Sequence, residues 1–221
     1  MVSLELEARL DNLLSTAQTE TANIDLFAPI PEREECPICM LPHPIDEEES
    51  SFQSCCGKLI CRGCILKNLT TEKNNGVDLS EHKCVFCRQS WSTYKVNDNK
   101  ALKKLMKKNN IRSFIQMANK FRLGNGVLQS DTRALEMYIR AAELGHNNAY
   151  ALIAHCYEQG SAVEEDLSKS IEFSEIAAKK GSVYAHKRLA HFAVTVSMDL
   201  QRSYNHLKVA ACAECQKSWI I

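Results

Sequence analysis

The sequence predicts two folded parts in series: a small zinc-stapled module, then an all-α short solenoid of helix-turn-helix repeats. Three observations carry this. Eight of the 11 cysteines lie between Cys36 and Cys87. The second half repeats itself at a shift of 36 residues. Apolar residues make up 45% of the chain and charged ones 24%, the mix of a folded protein rather than a disordered or fibrous one. A length of 221 residues suits one to two domains.

The longest apolar runs are a few residues, so no transmembrane helix and no membrane partner is predicted. The opening MVSLELEARLDNLL carries acids among its leucines, unlike a secretory or transit peptide. The chain is therefore expected to be intracellular, cytoplasmic or nuclear. In such compartments dense cysteines are metal ligands more often than disulfides. A formal net charge of zero removes any global polycation argument for nucleic acid.

Residues 1–35 read as an acidic leader helix and linker, with 8 acids against 2 bases. Leu6, Leu10, Leu13, Leu14 and Ala17 recur at spacings of three and four, a helical stripe with Ser3 as candidate N-cap. Pro29 and Pro31 then interrupt any helix.

Residues 36–90 hold CPIC, CCGKLICRGC and CVFC. A C-x-x-C turn presents two sulfurs on one side of a tight loop, and zinc takes four such ligands in a tetrahedron. Three such pairs plus the adjacent Cys55-Cys56 supply two complete sites, so zinc is expected at two per chain. His82 and His43 are alternatives to one member of the adjacent pair. Both sites would be closed by protein ligands, which makes the metal structural and leaves no open position for hydrolysis or deamination.

Residues 91–110 read as a basic linker helix, the 91–112 stretch holding seven bases and one acid. Ala101, Leu102, Leu105 and Met106 share a face, and Lys103, Lys104, Lys107 and Lys108 lie off it. A solvated helix between two parts is the simplest account. A nuclear-import or phosphate-binding patch is the alternative. Aromatics for base stacking are missing, which disfavours nucleic acid.

Residues 111–221 form the solenoid. At a shift of 36, Gly124 maps to Gly160, Ala141-Ala142 to Ala177-Ala178, Gly145 to Gly181 and Ser130 to Asp166. A third copy, shortened by three residues, puts Asp199 and Ala210-Ala211 in the corresponding slots. Ser130, Asp166 and Asp199 suit helix N-caps, and Gly145 and Gly181 suit left-handed helix ends. The second helices of the repeats are predicted at about 131–144, 166–180 and 199–213. Leu135, Ile139, Leu152, Ile153, Ile171 and Leu189 are core candidates. His146, His155, His186 and His191 read as surface or packed helical residues, and Cys212 and Cys215 as small packed residues.

The two halves resemble different families. GNGVLQSDTRALEMYIRAAELGHNNA and EQGSAVEEDLSKSIEFSEIAAKKGSVYA resemble the Sel-like repeat, a relative of the tetratricopeptide repeat; the third copy has VTVSMD in place of the glycine-bearing turn. The resemblance implies a scaffold that binds a protein partner. The cysteine order resembles the RING finger, a small α+β module. By that resemblance Cys36, Cys39, Cys61 and Cys64 hold the first zinc, and Cys55, Cys56, Cys84 and Cys87 hold the second. The histidine slot of common RINGs holds Lys58 here, whereas Cys56-Gly57 matches the all-cysteine, Not-type subclass.

Many RING proteins are ubiquitin ligases that position a ubiquitin-charged conjugating enzyme. The resemblance implies contact roles for Ile38, Pro37, Ile65 and Leu69, and a bridging role for Arg88. Two positions depart from the ligase pattern: Val85 where a proline is usual, and Asn68 where a tryptophan is common. A non-enzymatic adaptor therefore stands as the alternative function, and an RNA-associated regulator as a weaker one.

Overall fold

In the computed structural model the chain forms two compact units, Met1–Pro31 with Met117–Ile221 and Glu32–Gln116. The structure describes residues 4–31, 33–44, 50–78, 81–90 and 98–215, with side chains through residue 213. Residues 91–97 of the expected basic linker and the last six residues of the solenoid lie outside the described residues. Among the described residues no helix is long and apolar enough to cross a membrane.

The unit Glu32–Gln116 is built on a two-stranded antiparallel hairpin, β1 (Ser50–Gln53) and β2 (Lys58–Cys61), with Ser50 opposite Cys61 and Gln53 opposite Lys58. Cys55 and Cys56 occupy its turn, which closes at Gly57 with φ +73°. A Cβ on Gly57 would sit 2.8 Å from Asn110 Nδ2 and 3.0 Å from Leu105, so glycine serves both the left-handed backbone and the close approach. Helix α2 (Arg62–Asn74) follows directly, with Cys61 at its N-cap, and has no fully buried side chain. Helix α3 (Asp98–Met106) is the basic helix, and it lies in this unit. Leu102 is buried, Ala101, Leu105 and Met106 are half-buried, and Lys103, Lys104, Lys107 and Lys108 are exposed, the division that the stripe predicts.

The other unit contains α1 (Leu4–Glu20) and the helical repeats. The repeat helices are α4 (Ile111–Leu123), which the unit boundary crosses, α5 (Asp131–Glu143), α6 (Asn147–Gln159), α7 (Leu167–Lys179), α8 (Val183–Thr195) and α9 (Leu200–Cys215). From α4 to α6, α5 to α7 and α6 to α8 every boundary moves by 36 residues, so the sequence period is the structural period. The expected caps form. Ser130, Asp166 and Asp199 accept from the backbone N–H of Arg133, Lys169 and Arg202. Gly145 and Gly181 take φ near +90°. Each closes a Schellman pattern on the alanine pair: Gly145 N–H donates to Ala142 and His146 N–H to Ala141, with Gly181 and Ser182 doing the same to Ala178 and Ala177.

The core is alanine-rich because the helices approach closely. Ala118, Ala141, Ala149, Ala151, Ala154, Ala177 and Ala185 are buried between them, with Leu135, Ile139, Ile153, Phe173 and Leu189. Leu152 and Ile171 are only half-buried. Cys212 is exposed rather than packed, and the Cys215 side chain lies outside the described residues.

One turn position repeats a strain. Gly126, Ala162 and Met198 are 36 residues apart, and all three have left-handed φ, of 72°, 70° and 51°. Two of these slots hold a residue with a Cβ, which costs about 1–2 kcal/mol. Ala162→Gly and Met198→Gly are each expected to stabilise the unit by about 0.5–1 kcal/mol after glycine's own entropic cost. A thermal melt should rise by about 2 °C for each; a fall would show that the side chain contributes more in contacts than the backbone loses.

Candidate metal centre

The thiols converge in two groups of four. Cys36, Cys39, Cys61 and Cys64 form one and Cys55, Cys56, Cys84 and Cys87 the other, all sulfurs of a group within 4.8 Å of one another. The grouping is interleaved along the chain, so each group ties a distant C-x-x-C to the hairpin region.

Local backbone explains the aim of each sulfur. The C-x-x-C segments at 36–39 and 84–87 form the same knuckle. Met40 N–H donates to Cys36 C=O and Cys36 N–H to Leu41 C=O; Arg88 N–H donates to Cys84 C=O and Cys84 N–H to Gln89 C=O. Each knuckle ends in a left-handed residue, Met40 at φ 59° and Arg88 at φ 61°. Short antiparallel bridges, Glu35 to Pro42 and Lys83 to Ser90, close them. The third pair spans the junction of β2 and α2, where one helical turn carries Cys64 back under Cys61. Cys55 and Cys56 come from the hairpin turn.

The donor set fits a tetrahedral thiophilic ion. Four sulfurs at a zinc–sulfur distance near 2.3 Å have edges of about 3.8 Å. The observed separations are 4.0 Å for Cys36–Cys64, 3.8 Å for Cys39–Cys61, 4.0 Å for Cys56–Cys84 and 3.4 Å for Cys55–Cys87. These are far from a disulfide bond, and all eight are free thiols. Each group can hold one metal ion.

Electrostatics shows what the ion must supply. Burial opposes ionisation of Cys36, but backbone N–H groups of Cys61, Cys39 and Ile38 outweigh it and bring its pKa down to about 6. Burial also opposes the Cys84 thiolate, and N–H donors of Cys87 and Phe86 again lower it. Burial and neighbouring thiols push Cys64 and Cys55 well above the usual range, and burial takes Cys56 up to about 11. In each group backbone donors thus favour one thiolate against its burial. Four together need a cation.

The two alternative histidines sit elsewhere. His82 Nδ1 lies 2.5 Å from Glu72 and His43 Nδ1 lies 3.1 Å from Ser50 Oγ, and neither joins a sulfur group. Lys58 extends over the Phe86 ring at 5.7 Å.

The expected contact residues divide by exposure. Ile38 is 41% exposed at the tip of the first knuckle, with Pro37 half-buried beside it. Ile65 and Leu69 are half-buried on α2. Arg88 is 66% exposed, its guanidinium 3.9 Å from Glu72. Sequence reasoning passed over Phe86, which is 43% exposed and stands in the second knuckle where Ile38 stands in the first. The shared C-x-x-C register was the signal for it. Met40, Leu41 and Leu66 are further exposed apolar side chains of this unit.

The comparisons with known proteins concern the repeat half. Residues 117–146 and 147–182 match the Sel1 repeat. Repeats of this kind indicate a protein–protein interaction scaffold. No curated protein matches the chain. A crystal structure of a Sel1 repeat protein from Oxalobacter formigenes aligns at 22% identity and a TM-score of 0.49, over 69% of this chain and 58% of that one. The crystal structure of c5321, a protective antigen of uropathogenic Escherichia coli strains displaying an SLR fold, aligns at 17% identity and a TM-score of 0.50, over 68% of this chain and 32% of that one. The latter likeness is one of fold. Both aligned regions span less than two thirds of those proteins' own length.

Proposed function

We propose that residues 36–90 are an all-cysteine RING-type module binding two zinc ions, and that the chain is a ubiquitin–protein ligase whose solenoid at 111–221 recruits a protein partner. The observation that carries this is the interleaved four-and-four grouping of thiols with an exposed apolar residue at the tip of each knuckle. Cys36, Cys39, Cys61 and Cys64 would hold one zinc, and Cys55, Cys56, Cys84 and Cys87 the other. The zinc supplies rigidity and counter-charge. The chain's own residues do the rest by positioning. Ile38 and Phe86 offer apolar contacts to a conjugating enzyme, and Arg88 offers a planar fork of donors for backbone carbonyls across the enzyme–ubiquitin junction. Holding the charged enzyme in one reactive arrangement accelerates transfer without a covalent step on this chain.

The test is discharge of ubiquitin from a panel of charged conjugating enzymes onto free lysine. Wild type should accelerate discharge with at least one enzyme. Ile38→Ala should abolish the acceleration while retaining two zincs and an unchanged melt, because the side chain is exposed and its removal leaves no cavity. Equal stimulation by the variant would remove the contact assignment.

A second reading is a non-enzymatic adaptor, in which the zinc module is an interaction surface alone. Val85 and Asn68 favour it, since a proline and a tryptophan are usual there in ligases. Binding of a conjugating enzyme by wild type without acceleration of discharge would select this reading.

A further inference from the structure

We infer that the face of the repeats covered by α1 is a receptor for an acidic amphipathic helix of a partner protein, and that α1 is its built-in competitor. This rests on the reading of the repeats as a protein-binding scaffold and is independent of the ligase reading.

The seat is built for a helix. α1 presents Leu6, Leu10, Leu13 and Ala17, all buried, at spacings of four, three and four, and Thr21 continues the stripe. It lies chiefly against α5 and α7. Two lysine–tyrosine pairs mark its middle and its C-terminal end. Lys169 lies over the Tyr157 ring at 5.7 Å and reaches Asp11 at 2.9 Å. Lys180 lies over the Tyr150 ring at 5.4 Å and reaches Glu20 at 2.9 Å. Tyr150 and Tyr157 are two turns apart on α6, so the bound helix runs antiparallel to α6 with acids nine residues apart. Glu143 and Glu172 complete the code: the first takes Arg9 at 2.7 Å and the second takes the Gln18 amide at 3.1 Å. The face therefore asks for acid, base and apolar groups at set positions, which is a specification for a partner and not a general stickiness.

α1 meets that specification only loosely. A groove of about 360 Å³, open to solvent, runs along its flank, lined by Arg9, Leu13 and Glu20 on its side and by Ala142, Gly145 and Tyr150 on the other. Its ion pairs sit at the rim, with Asp11 63% and Glu20 56% exposed, where water weakens them. A single helix of 17 residues has little stability of its own. A partner helix with larger apolar residues facing Ala142 and Gly145 would cover this groove and displace it.

The test uses the full chain and a fluorescent synthetic peptide of residues 4–20 as the probe. In the double variant Leu10→Asp, Leu13→Asp the resident helix is unseated. This variant should bind the peptide at least tenfold tighter than wild type, because a tethered competitor acts at a high effective concentration. Adding Lys169→Glu and Lys180→Glu should abolish binding, and a peptide carrying Asp11→Lys and Glu20→Lys should restore it. Circular dichroism should show that α4 to α9 persist in each variant. Equal weak binding by wild type and the unseated variant, or collapse of the repeats on unseating, would overturn the inference and make α1 a permanent part of the core. A protein partner captured on the repeats equally by wild type and the unseated variant would overturn the inference while sustaining the scaffold reading.

Discussion

Stripping metal from the full chain with a strong chelator is expected to unfold residues 33–90 and leave the repeats helical. The reason is the thinness of the apolar core. Among the described side chains of 33–90, the buried hydrophobic ones are Cys36, Ile60 and Cys84, and two of those three are thiols. The buried polar ones, His43, Gln53, Ser54 and His82, add no hydrophobic driving force. α2 has no fully buried side chain. Even with Leu102 of α3 and with Phe114 and Ile115 in the same unit, so small a core cannot offset the entropy of ordering the chain. Metal binding must do it, and structural zinc contributes on the order of 10–16 kcal/mol in small thiolate modules. Elemental analysis should give two zincs per chain before chelation. Amide NMR signals of 33–90 should lose dispersion afterwards, with mean-residue ellipticity at 222 nm falling only modestly, since most helical residues belong to the other unit. Cys84→Ser should reproduce the loss without chelator. A spectrum that stays dispersed once the metal is gone would show that the thiol groups are not what holds the module.

Legibility in the sequence followed the range of the interactions. The helix starts at Ser130, Asp166 and Asp199 were readable because a cap is a contact between residues three apart. The alanine pairs and their glycines were readable for the same reason, since the Schellman bonds close within six residues. The thiol groups were readable through spacing, although the structure alone shows that Cys55 and Cys56 both reach one group and that His82 turns to Glu72. What the sequence could not show was which surface an amphipathic stripe meets. The leader helix and the basic helix both carry clear stripes, yet α1 lies against α5 and α7 while α3 lies beside Gly57 of the hairpin. His206 was missed outright. It occupies in the third copy the slot of Phe173 in the second, fully buried 3.1 Å from His186 and 4.9 Å from the Phe27 ring. Burial, then His186 and Arg202, hold its pKa down at about 4, so it serves there as a neutral ring rather than as a charge.

Phe173→Ala is expected to be the most damaging single substitution in the repeats. Its side chain is 0% exposed and its ring stacks on Tyr157, centroids 5.7 Å apart and planes at 16°. Truncating a buried phenylalanine costs about 3–5 kcal/mol. At 2–4 °C for each kcal/mol in a chain of this size, the melt of the repeats should fall by roughly 10 °C. The effect should be large because the interfaces on either side are mostly alanine. Few large side chains hold neighbouring helices together, so each holds a large share, and in a solenoid the loss of one interface exposes the next. Phe173→Leu should recover much of the loss by refilling the space. Zinc content should stay at two per chain in both variants, because every candidate ligand lies between residues 36 and 87. A melt for Phe173→Ala within about 1 kcal/mol of wild type would mean that the alanine contacts and the caps at Asp166 and Ser182, rather than the buried ring, set the stability of the repeats.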